Sequence, residues 1–256
     1  HQLETLHIGC QVVAGVLHPF SPAMLAAFCL SVSYYLLFRT YQQLQPVVDV
    51  FHAFFMLALG SLACPSMVFF VPLFFWHLSV FMRALTLRTF FAALVGVALP
   101  FWFWCGWLLW TGDPTPFLAW LADLRSIVWI WQQQSLPDVS HSLPVMVFFA
   151  LTLFALWTGV SYLLHSYDDK IRTRMMFYVY ALQTLAIILL AVLAYSEVGV
   201  SSFLPLLLLS ASPLLAHYFT LSTTWTSLVV FVLFVLVVLF MGFCTLFPGG
   251  LPLGVG

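Results

Sequence analysis

Long uncharged apolar runs, interrupted by proline, by charge or by short polar links, dominate this chain. A helix needs about 20 apolar residues to cross the hydrocarbon core of a bilayer, within a range of roughly 17 to 25. Thr89 to Thr111, Pro144 to Leu164, Met175 to Tyr195 and Trp225 to Phe247 meet this without a charge; Pro22 to Phe38 and Phe203 to Phe219 meet it at the short end. Backbone amides in lipid must bond within their own segment, so these windows predict helices. Val50 to Met82 is uncharged throughout, too long for one span and short for two. Cys64-Pro65 divides it: proline disfavours helix in the residue before it and suits a first helical turn, which predicts two short helices over Val47 to Ala63 and Pro65 to Met82. Ser21-Pro22 gives the same stop-and-start signal. Leu3 to Leu17, with Glu4 and His7, reads equally as the end of a span or as an interfacial segment. Pro205 and Pro213 each remove a backbone donor and predict a bend or break in Phe203 to Phe219.

The expected fold is therefore all-α, a polytopic transmembrane helical bundle of about eight hydrophobic segments, forming one integral membrane domain over residues 1–256. The one long polar connection, Gly112 to Leu143, holds an interfacial helix: Trp120, Leu121, Leu124, Val128 and Trp131 recur at spacings of three and four over Phe117 to Trp131, with Asp123 and Arg125 off that stripe. A surface helix packed on the bundle fits the same pattern. The chain does not open with Met, and further segments ahead of His1 are an expectation.

Composition fixes the solvent. With 64% hydrophobic and 6% charged residues, against about 25% charged in an ordinary soluble domain, the surface has to face lipid. A net charge of -1 provides no basic patch, which excludes nucleic acid and leaves membrane lipids and membrane proteins as partners. Positive charge orients the chain. Alternating the segments puts Arg39, Arg83, Arg88, Lys170, Arg172 and Arg174 on one side and only Arg125 on the other. That bias predicts a bacterial inner membrane with the six cations cytoplasmic and the C-terminus periplasmic.

Candidate chemistry is sparse, and it implies no catalytic residue, cofactor or metal site. Asp49 and His52, at i and i+3 near a cytoplasmic helix end, form the one intramembrane polar pair, read as a proton or ion relay or, more plainly, as a headgroup-level carboxylate beside a histidine. His77 and His217 lack a second ligand at metal spacing on their helices. Asp138, Ser140 and His141 include the residue types of a hydrolytic triad, but adjacency in sequence is poor evidence for one. Asp168-Asp169, followed by Lys170, Arg172 and Arg174, reads as a solvated turn. The five cysteines have no C-x-x-C spacing and read as small buried hydrophobes. Trp102, Trp104, Trp107 and Trp110 follow Pro100 near the outer boundary; they suit an interfacial belt or, more sharply, a lipid- or carbohydrate-stacking platform. Ala58, Gly60, Ser61 and Ala63 are small enough to let another helix approach, from a partner protein or from this chain.

The run Phe51 to Trp107 resembles a family of uncharacterised Bacteroidota inner-membrane proteins, a domain of unknown function. The pieces that carry the resemblance are Leu59-Gly60-Ser61-Leu62, the aromatic stretch Phe69 to Phe81, Arg83 with Arg88, and Gly96 to Pro100, joined by Ser212 to Phe219 in a closing helix pair. The family implies no known activity. The arrangement of short paired helices is also similar to the membrane half of GT-C type sugar transferases, which act on polyprenyl-phosphate-linked sugars through an acidic first exterior loop; no segment here matches that loop. The expected role is a non-catalytic subunit or scaffold of a membrane assembly, with a GT-C-like glycosyltransferase of lipid-linked sugar as the alternative and a transporter third.

Overall fold

The computed structural model describes residues 22–43, 45–129, 143–165, 170–193 and 197–221, together with Val229 and Val232. Leu3 to Leu17 and the span Trp225 to Phe247, these two valines apart, lie outside the described residues. All described secondary structure is helical, without a strand among the described residues. The helices are α1 (Pro22–Arg39), α2 (Val47–Ala63), a 3-10 turn (Pro65–Phe69) leading into α3 (Phe70–Val80), α4 (Leu87–Thr111), α5 (Thr115–Trp129), α6 (Leu143–His165), α7 (Ile171–Leu193) and α8 (Glu197–Leu221). Among the described residues three are long and apolar enough to cross a membrane: Pro22–Arg39, Leu87–Thr111 and Ile171–Val192. Val47–Ala63, Pro65–Val80, Phe148–Leu163 and Phe203–Phe219 are shorter apolar helices.

Local chemistry sets the boundaries. Proline opens α1, and at the end of α2 Cys64 is extended (φ -137, ψ 100) before Pro65 starts the 3-10 turn. Thr86 and Thr89 form a capping box at the start of α4, each side chain bonding the other's backbone N–H. Gly112, at φ +68, ends α4 in the left-handed conformation that glycine adopts without penalty. Of the bend or break expected in Phe203 to Phe219, a break does not occur: α8 is one helix of 25 residues with Pro205 and Pro213 inside it. Pro213 leaves the Leu209 carbonyl without its i+4 donor, and the Ser212 hydroxyl donates to that oxygen at 3.0 Å. Hydroxyl side chains commonly repair proline sites in this way within membrane helices.

The helices pack as a row, α4 on α2, α2 on α1 and α1 on α8, with α6 and α7 both against α8 and α3 bridging α2 and α7. The centre is aromatic. Tyr34 of α1 meets Phe74 of α3 at 5.5 Å and Tyr180 of α7 at 5.0 Å between ring centroids, and Phe54 of α2 meets Phe74 at 6.2 Å. Ser33 lies within hydrogen-bonding distance of Cys29 O and, across the helix pair, of Ala53 O at 3.0 Å. Gly96 lets α4 seat directly on the backbone of α2.

Candidate functional site

Polar groups gather at one end of the bundle. Arg39 closes α1 and pairs with Asp49 in the first turn of α2 at 3.5 Å. The Gln42 amide donates to Met82 O, and the Arg172 guanidinium lies 5.9 Å from the centre of the Tyr41 ring. Gln42 (φ 56) and Arg83 (φ 51) are both left-handed, so the two facing turns are tightly bent. Arg88 and Lys170 are exposed. Of the six cations assigned to one side, Arg39 and Arg172 are thereby brought against the same pair of turns that carries Arg83. Asp49 faces Arg39, because the tight α1–α2 link brings the two helix ends together, and His52 is exposed with its ring against Phe51.

Buried polar groups lie deeper. His77 is fully buried between Phe74 and Phe81, and among the described residues neither ring nitrogen has a hydrogen-bond partner. Gln183, on the inward face of α7, is fully buried with both amide atoms in the same condition. His217 packs its ring on Phe177 and Tyr162. Among the described residues no group of three His, Cys, Asp or Glu could hold a metal. Asp138, Ser140, His141, Asp168, Asp169, Cys10 and Cys244 lie outside the described residues.

The small residues at the end of α2 are used within the chain. Ala58, Gly60 and Ser61 are buried, and a Cβ at Gly60 would meet Met67 Sδ at 2.9 Å and Cys29 Cβ at 3.0 Å. Only Ala63 remains partly open, so an approaching partner would find little of this surface.

The other end of the bundle carries the aromatic site. Beyond Pro100 most of α4 is exposed, and α5 packs on the 3-10 turn that follows α2. Trp104 meets Trp120 at 5.9 Å and Phe117 at 5.8 Å, Phe101 meets Trp120 at 5.6 Å, and Trp120 Nε1 donates to Ser61 O at 2.9 Å. The polar link thus holds a helix packed on the bundle through Trp120, with Leu118 and Leu121 left exposed as an interfacial helix would leave them. The outward side of α4 bears a groove of about 330 Å³ lined by Trp102, Phe103, Gly106, Trp107 and Trp110. Trp110 is 88% and Trp102 78% exposed, and a Cβ added at Gly106 would touch nothing. Cys29 and Cys64 are buried as expected, but Cys105 is exposed on the outer half of α4. Sequence reasoning missed the Gly106 groove, the buried Gln183 and the Trp120–Ser61 bond.

Comparison with protein families, with curated proteins and with solved structures finds no match to this chain. The resemblance to the Bacteroidota family rests on the quoted residues alone.

Proposed function

We propose that this protein is a non-catalytic component of a bacterial inner-membrane assembly, crossing the bilayer with about eight segments and working by packing against other membrane proteins. The observation that carries the reading is the outer flank of α4. Glycine inside a helix costs about 1 kcal/mol relative to alanine, a cost normally offset by a close approach. Gly60 and Gly96 have such an approach within the chain, whereas among the described residues Gly106 has none and opens a notch between Trp102 and Trp110. A neighbouring transmembrane helix fits a notch of this kind, with tryptophan supplying contact area on either side. The polar end, with Arg39, Arg83, Arg88, Lys170, Arg172 and Arg174, is assigned to the cytoplasm by the positive-inside bias.

The test is purification in mild detergent followed by mass spectrometry of co-purifying proteins, repeated with Gly106→Leu. The expected result is stable membrane-protein partners for the wild type and their loss on filling the notch, with the fold intact. Recovery as a lone monomer that transfers sugar from a polyprenyl phosphate would sink the reading.

A further inference from the structure

The apolar windows long enough to cross a membrane end at Arg39 on α1 and begin at Ile171 on α7, so in such a crossing these points stand at headgroup depth. Three separate segments of the chain meet there. The Arg172 guanidinium lies 5.9 Å from the centre of the Tyr41 ring, and Gln42, the next residue, donates its amide to Met82 O, which Arg83 follows. Phe81 meets Tyr178 at 6.2 Å between ring centroids, tying the end of α3 to α7. The fold thus sets Arg83 and Arg172, far apart in sequence, against one pair of turns.

Charge at this end is not balanced within the described residues. Arg39 pairs with Asp49, the one acid there among the described residues. Arg83, Arg88, Lys170 and Arg172 are exposed, and among the described residues no acid pairs with any of them. Exposed apolar side chains stand beside the two arginines: Ile171 next to Arg172, and Leu85 and Leu87 shortly after Arg83. A free phosphate would use the guanidinium groups and leave these side chains idle. A phospholipid offers phosphate to the first and acyl chain to the second. Guanidinium suits that phosphate because its planar fork can make two parallel N–H bonds to two oxygens.

We propose that Arg83 and Arg172 together hold the phosphate of one anionic phospholipid, with an acyl chain lying along the exposed apolar side chains beside them. Basic sites between membrane helices hold lipid headgroups in this manner. The inference rests on the chain crossing a bilayer and is independent of any protein partner.

Equilibrium binding of radiolabelled phosphatidylglycerol to the immobilised full-length protein in a neutral detergent tests this, with unlabelled phosphatidylglycerol or phosphatidylcholine of the same acyl chains as competitor. The wild type should prefer phosphatidylglycerol, and the preference should shrink as salt is raised. One basic residue near an anionic lipid is worth about fivefold in binding, so Arg83→Gln and Arg172→Gln should each cut the preference by about that factor. Arg88→Gln removes the same charge from the same end, outside the Tyr41 and Met82 contacts, and should cut it much less. All three side chains are exposed, so each variant should keep the wild-type melting temperature in phosphatidylcholine. No preference in the wild type, as expected if Asp168 and Asp169 neutralise the neighbouring cations, would overturn the proposal. So would an equal loss in Arg88→Gln, which marks a diffuse field, or displacement of the lipid by inorganic phosphate at matched ionic strength, which marks a site for the free anion.

Discussion

Gly96 on α4 lies so close to Phe51 on α2 that a Cβ added to the glycine would stand 2.6 Å from the Phe51 carbonyl oxygen and 3.2 Å from the Phe55 nitrogen. Both obstacles are backbone, which cannot turn aside as a flexible side chain can. Gly96→Ala should therefore force the two helices apart and destabilise the protein by about 1 to 3 kcal/mol, the usual cost of overpacking. Gly106→Ala, with nothing near its Cβ position, should leave the melting temperature equal or slightly higher. Thermal unfolding of the two variants side by side in the same detergent checks the contrast.

His77 offers a test of the opposite sign. Two buried ring nitrogens without partners among the described residues carry a desolvation cost of about 1 to 3 kcal/mol. His77→Leu removes both and keeps an apolar side chain between Phe74 and Phe81, so its melting temperature should rise. A fall instead would mean that the imidazole has a partner whose loss outweighs the gain.

The entry to α5 should depend on pH. Asp113 accepts from the Thr115 hydroxyl at 2.7 Å and from the Thr115 amide at 3.0 Å, and these bonds hold its carboxyl below the ordinary value of 3.8. The folded-state pKa is depressed, so the contribution is complete at pH values above the unfolded-state pKa and is lost as pH falls through the lower folded-state value. The Thr115 amide resonance should accordingly shift with a midpoint below 3.8, and Asp113→Ala should abolish that titration.

Orientation in the bilayer follows from the charges. A fluorescent protein fused at Gly256 should stay dark in a bacterial host, and alkaline phosphatase fused there should be active. The reverse pattern would invert the assignment of the Arg39 and Lys170 end to the cytoplasm.

Much of the helical framework was legible because lipid imposes one rule, that an apolar run long enough to span must be helical. Pro22, the Cys64-Pro65 division and the helix within the polar link all stand where local signals place them. Proline in α8 did not break the helix: the missing donor is visible in sequence whereas the hydroxyl at Ser212 that answers it acts only once the helix has formed. Asp49 has a contact that periodicity along one helix does not show. Spacing of three along one helix points to His52, while the partner it takes, Arg39, comes from the preceding helix across a turn. Nor could spacing reveal that Trp120 completes a helix so far from it in sequence, although Pro65 four residues after Ser61 marks the oxygen in need.

The contact of α8 with α1 sets an order of events during synthesis. Ribosomes deliver helices from the N-terminus, and neighbours such as α1 and α2 can pair as soon as both have entered the membrane. Among the described residues, the side of α1 that α8 covers meets that helix only after the intervening helices have been made. A ribosome stalled before α8 would leave α1 without the α8 side of its packing.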